Sequence, residues 1–319
     1  MRITGKHISK TDKMFTSAET VAFIIIAAIV SVSGIIFNSF IGFVIFGEHK
    51  GFLRMSANNQ IKFTICVTNV FMQCLMPINI FVFTFTDSSV LPRLFVSVLG
   101  FSNIVTIGFS CWLTVWLCIL YCVTVVNFKH KFFTHLKMRF PALVPKLLLV
   151  TALGSICLSA PSIWCLNIDL QQNMTGNLTL EQKINTQADY CKSVGYHIFF
   201  NTIGCMLPLT ISVIALAVIV ASLVGYVWRT KLKSSNLSDA QLQPHYKACK
   251  TIVLLIIIFT IVSAVQILPL SSPYDSSTWK SMLVDYLCLF YPTEMAVILI
   301  LGSSELKQAF VRRVTCIKQ

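Results

Sequence analysis

Two carboxylates stand inside long apolar runs of this sequence, Asp285 and Glu294. An ionised Asp at the centre of a membrane span costs roughly 2.5–3.5 kcal/mol on insertion scales, so such groups usually face a cavity or a partner. Asp285 lies about one turn inside the start of its run. From there it could line a pocket open to one side and attract a cation, or simply reach headgroup water. Glu294 follows Pro292 and sits deeper, where a polar partner such as Asn38 or Asn69 is the expectation. Asn103 and Ile107 are one helical turn apart in another run and so share a face. Asn103 could meet a ligand there or hold an interhelical hydrogen bond.

Catalytic chemistry finds no footing. The 12 cysteines include no CxxC pair, and Cys66, Cys74, Cys111, Cys118, Cys122, Cys157, Cys205 and Cys288 fall within apolar runs. There a thiol behaves as a small hydrophobe. The sequence has no Gly-rich phosphate loop, HExxH or GxSxG. The histidines fall in loops or at the ends of runs, away from any nucleophile. The expectation is a protein that is not an enzyme and needs no metal or cofactor.

The elements that must position these residues follow from composition. Of 319 residues 55% are hydrophobic and 12% charged, about half the charge of an average soluble domain. A water-facing surface cannot be built from that. The apolar runs are helix-length, whereas a membrane barrel would show alternating segments of about ten residues. The fold class is therefore all-α and membrane-embedded. A span needs about 20 apolar residues, and seven stretches qualify, about 21–46, 61–85, 94–126, 147–168, 195–228, 251–270 and 281–302. The first is too long for a signal-peptide core and lacks a small-residue cleavage site, so it counts as a span. One seven-span domain covers the chain, with a short N-terminus outside and a short tail inside.

The net charge of +13 belongs to loops and sets topology; it is not a nucleic-acid footprint. With the N-terminus outside, inner Lys and Arg outnumber outer ones by about two to one. Only the basic N-terminal segment dissents. The sequons at Asn173 and Asn177 then fall in an outer loop and can carry glycan, while that at Asn236 is cytosolic and bare.

The motifs are more specific than the count. Cys111 to Phe140 carries Trp112-Leu113, Tyr121, Asn127-Phe128, Leu136-Lys137 and Arg139; the start of span six reads His245-Tyr-Lys247-Ala248-Cys-Lys250-Thr251, with Asp239 six residues before His245. Span one has Gly34, Asn38, Phe40 and Ile41, span five Pro208 and Ser222-Leu223, and span seven ends Leu299-Ile-Leu-Gly-Ser-Ser-Glu-Leu-Lys-Gln308. In this order they resemble the type 2 (bitter) taste receptors, G-protein-coupled receptors, across almost the whole chain. The chain reads as a divergent member. Asn69 stands where the family usually has an Arg, Thr124 where it has a Lys, and Met295-Ala296 where it has His-Ser. Vomeronasal type-1 receptors are the alternative. A small transporter or channel is a further one, though the repeat symmetry and broken midplane helices it would show are missing.

The resemblance implies a small-molecule bitter agonist bound from outside at Asn103, Ile107, Asp285 and Cys288, with Thr84 and Val262 added by alignment offset. It implies a gustducin-like Gα facing Lys129, Lys131, Lys137, Arg139, His245, Lys247 and Lys250. The same cations could anchor helix ends to anionic lipid headgroups. Residues 94 to 105 contain no Cys, and Cys111 lies roughly 25 Å down its helix from residue 94. A rhodopsin-type bridge from the outer end of span three to Cys191 is therefore excluded. Cys165 and Cys191 flank the outer loop and could pair with each other or stay as thiols.

Overall fold

The computed structural model describes residues 17–49, 51–85, 91–126, 131–163, 195–233, 239–265 and 278–317. These residues form helices and short connections, with no strand among them. The long helices are α1 (Ser17–Glu48), α2 (Ala57–Phe85), α3 (Arg93–Val125), α4 (Lys131–Ser159), α5 (Leu207–Lys233), α6 (Asp239–Val265) and α7 (Thr278–Gly302), followed by the shorter α8 (Ser304–Ile317). A helical stretch at 195–200 and a π-helical turn, Asn201–Met206, run directly into α5. Six of the helices are long and apolar enough to cross a bilayer, and α6 adds a shorter apolar segment, Val253–Ala264. The remainder of the sixth expected span, 266–270, lies outside the described residues.

Helix is the only open-ended way to satisfy backbone groups in hydrocarbon, and the side chains sort around it. On α1, Ile25, Ile29, Val32, Ile36 and Phe43 are exposed, while Ala27, Val30, Ile41 and Ile45 are buried. The exposed stripe is apolar because lipid is its solvent. Polar side chains stay inside or bond their own helix. Thr64, Thr68, Thr106 and Thr124 donate to the carbonyl four residues earlier. The α1–α2 connection turns at Gly51, whose φ of 131° suits only glycine, and Gln60 donates to the Phe52 and Met55 carbonyls to close it.

Helix α3 is the axis of the bundle and touches α2, α4, α5 and α6, while α7 packs against α1, α2 and α6. One large core, including Ile65, Met72, Leu113, Leu117, Leu255, Leu289 and Met295, joins α1–α4, α6 and α7. The departures from the family pattern in span seven are absorbed here: Met295 and Ala296 are fully buried.

Helix α8 did not figure among the expected elements. Leu306 anchors it in the core. Phe310 packs on Phe37 and Phe40, and the Arg313 guanidinium lies 4.8 Å from the Phe43 ring centroid. Its apolar positions at Leu306, Ala309 and Phe310, flanked by Lys307, Arg312 and Arg313, are the amphipathic signal that a search for twenty-residue runs passes over.

Candidate ligand-binding site

Four helices converge on one cavity. Met72 of α2, Ile107, Ser110 and Cys111 of α3, Phe259 and Val262 of α6, and Cys288 and Tyr291 of α7 line it. Its volume is about 10 Å³, close to the least that admits one water. Any organic guest must therefore push its walls apart. Three of the residues expected to meet ligand, Ile107, Val262 and Cys288, come together here. Met72, Ser110, Cys111, Phe259 and Tyr291 were not anticipated. Nothing in their types marks them out, since apolar residues at helical spacing read as ordinary core.

The other expected contacts sit around the end of the cavity away from α8. Asn103 is one turn from Ile107 and its buried Oδ1 has no hydrogen-bond partner. Asp285 is one turn from Cys288 and half-buried. Helix α2 includes Thr84, whose side chain lies outside the described residues, as do Asn173, Asn177, Cys165 and Cys191.

The wall toward α5 is tight. Phe200 fills the space beside two glycines, so that a Cβ on Gly108 or Gly204 would come within 3.3 Å of its ring. The π-helical turn carries Cys205 to 4.0 Å from Cys111, sulfur to sulfur. Insertion of one residue into a helix re-aims the side chains on either side of it.

The floor leads into a polar seam. The Tyr291 hydroxyl and the Thr114 Oγ1 are 3.2 Å apart and hydrogen-bonded. The next residue, Pro292, has no N–H to give the carbonyl one turn earlier, and this loosens α7. Neighbouring helices hold it instead. Asn38 donates to the Pro292 carbonyl at 3.1 Å, and Asn69 donates to Asn38 Oδ1 at 3.0 Å. Gln73 donates to the Leu289 carbonyl at 3.0 Å and to Thr293 Oγ1 at 2.9 Å, and Thr293 donates to the Val30 carbonyl. This corrects the expectation for Glu294. Asn38 and Asn69 bond each other and Pro292, while Glu294 is half-buried and takes neither. Both amide NH2 groups are already engaged, Asn38 with the Gly34 and Pro292 carbonyls and Asn69 with Asn38 Oδ1 and the Pro292 carbonyl, so neither has a donor left for a carboxylate.

At the α8 end, Arg139 and Lys250 are exposed. Lys131, Lys137, His245 and Lys247 lie on α4 and α6 with side chains outside the described residues, and Lys129 lies outside them altogether. Lys62, by contrast, is buried in the first turns of α2. No group of three His, Cys, Asp or Glu side chains among the described residues converges to hold a metal.

A membrane bundle of this helix order, with a small cavity at one end, a proline-centred seam beneath it and a short amphipathic helix after the last span, defines a G-protein-coupled receptor. The taste receptor protein (TAS2R) family model matches residues 14–318. The chain belongs to that family, and is thus a multi-pass plasma-membrane receptor for small molecules that couples to G proteins. Taste receptor type 2 member 41 of Mus musculus is 26% identical over 268 residues, covering 80% of this chain and 84% of that one. Taste receptor type 2 member 7 of Rattus norvegicus is 24% identical, covering 88% and 89%. Taste receptor type 2 member 2 of Homo sapiens is 27% identical, covering 66% and 68%.

Proposed function

We propose that this receptor detects small bitter organic compounds that enter from the extracellular side and settle on the Met72–Tyr291 cavity. The observation that carries the reading is the convergence of α2, α3, α6 and α7 on that cavity, with unpartnered polar atoms above it and a polar seam below. The N-terminus is outside and α8 inside, as the distribution of Lys and Arg supports. The outer surface is then the end of the cavity bearing Asn103 and Asp285, and Asn173 or Asn177 carries glycan.

Agonist selects a wider cavity. It shifts the receptor only by its differential affinity for the two states. Displacement of Tyr291 reaches Pro292 within one residue, and the Asn38–Asn69–Pro292 bonds give α7 a discrete arrangement to leave. The inner ends then part to admit the C-terminal helix of a gustducin-like Gα, a helix-in-groove contact bordered by Arg139 and Lys250. Lys131, Lys137, His245 and Lys247 on the same helix ends, with Lys129 beside them, serve this contact and the anionic lipid around it.

The test is calcium imaging of cells expressing the chain with a promiscuous Gα against a panel of bitter compounds, repeated with a gustducin chimera. Responses that need Gα and fall with Ile107→Trp support the reading. Ligand-gated ion flux in cells without Gα would overturn it.

A further inference from the structure

Among the described residues, Lys62 is the one charged side chain that the bundle buries. It is 5% exposed, donates no hydrogen bond and joins no ion pair. It ends the α2 stripe Gln73, Asn69, Cys66, Lys62, which recurs at helical spacing and faces α7. Gln73 bonds the Leu289 carbonyl and Asn69 the Pro292 carbonyl, so the two helices run in opposite directions. Seven residues beyond Asn69, about 10 Å along α2, Lys62 comes level with the last turn of α7. The acid whose field reaches it is Glu305, exposed in the first turn of α8. Helix α6 lies directly on this elbow. A Cβ on Gly302 would meet Thr251 Oγ1 at 2.5 Å and Cγ2 at 2.7 Å.

A buried ammonium without a partner costs more than a methionine filling the same space. The cost has a use if a negative group arrives when the elbow is uncovered. The C-terminal end of a helix is such a group: its last four carbonyls lack donors and its dipole is negative. A chain that stops there adds a carboxylate. Resting on the G-protein coupling proposed above, we propose that Lys62 receives the C-terminal carboxylate of the Gα helix when α6 leaves Gly302. Glu305 is the resting counter-charge that this carboxylate replaces. Arg139 and Lys250, exposed at the same end of the bundle, attract the negative helix end.

The probes are two peptides of about three helical turns copying the C-terminus of gustducin Gα, one a free acid and the other a C-terminal amide. Each is titrated by fluorescence anisotropy against the full chain in lipid nanodiscs, as wild type and as Gly302→Ala, which wedges α6 off the elbow without an agonist. The acid should bind about tenfold or more tighter than the amide, the usual weight of a charged hydrogen bond. Lys62→Met should bring the two peptides level, Lys62→Arg should keep the difference, and Glu305→Gln should tighten the acid alone. Lys62→Met should leave the melting temperature unchanged or raise it, because the charge it removes has no partner. In cells with a gustducin chimera, Lys62→Met at normal surface levels should weaken responses to a panel of bitter compounds. Acid and amide binding alike to wild type, or a difference that survives Lys62→Met, overturns the anchor. A lowered melting temperature with an unchanged difference makes Lys62 a counter-charge to the end of α7 only. If the panel responses need Gα but no peptide binds, or Lys62→Met responds as wild type does, the anchor fails and the coupling stands. If no panel compound gives a Gα-dependent response and no peptide binds, the coupling itself fails and the anchor with it.

Discussion

Gly34 is where the α1–α2–α7 seam is most sensitive to a single methyl group. A Cβ built there would stand 2.5 Å from Gln73 Nε2 and 2.5 Å from Thr293 Oγ1, about 1 Å inside ordinary contact. Gln73 and Thr293 are hydrogen-bonded to each other and to the α7 and α1 backbones. Neither can retreat without breaking a bond that nothing else in the seam replaces. Overpacking of this kind costs about 1–3 kcal/mol, and interhelical bonds in membranes average about 0.6 kcal/mol each. Gly34→Ala should therefore destabilise the receptor by about 2–4 kcal/mol. The measurement is unfolding of the detergent-purified chain with a thiol-reactive dye, which reports exposure of the buried Cys66, Cys111, Cys118, Cys205 and Cys288. The melting temperature should drop by several degrees. In a Gln73→Ala background the same substitution should cost clearly less, since half of the clash is gone. A neutral Gly34→Ala, or equal costs in the two backgrounds, would refute the packing argument for this seam.

Other substitutions probe the ligand site and the topology. Asp285→Asn should raise the EC50 of a cationic agonist about 10- to 150-fold, the range of a charged hydrogen bond, and should change a neutral agonist of similar size far less. Ile107→Trp should fill a cavity that holds about one water and suppress responses to bulky agonists of either charge, with surface expression measured in parallel. Replacing both Asn173 and Asn177 by Gln should abolish a glycosidase-sensitive mobility shift. A shift that survives and disappears with Asn236→Gln would mean that the chain is inverted in the membrane.

The amino-acid sequence alone determined that this is a helical membrane protein. Lipid as solvent imposes one rule, that every backbone polar group be bonded within its own segment, and runs of about twenty apolar residues announce it without any tertiary information. Family membership was equally legible, because Trp112-Leu113, His245 to Thr251 and Leu299 to Gln308 are local strings. Asn103, Ile107, Asp285 and Cys288 were singled out through the family resemblance, read as offsets along two helices.

What a run of twenty apolar residues cannot say is which side faces lipid, since both faces are apolar. Met72, Cys111, Phe259 and Tyr291 line the cavity, while Phe71, Phe81 and Phe95 face outward, and no periodicity in polarity separates them. Only the packing of four helices around α3 decides it. The same holds for Asn38, Asn69 and Gln73. Sequence marked two of them as possible partners for a carboxylate, and the fold gave them instead to the carbonyls around Pro292. Their amide N–H groups are engaged with backbone carbonyls, with Thr293 and with one another, so none is left for the Glu294 carboxylate.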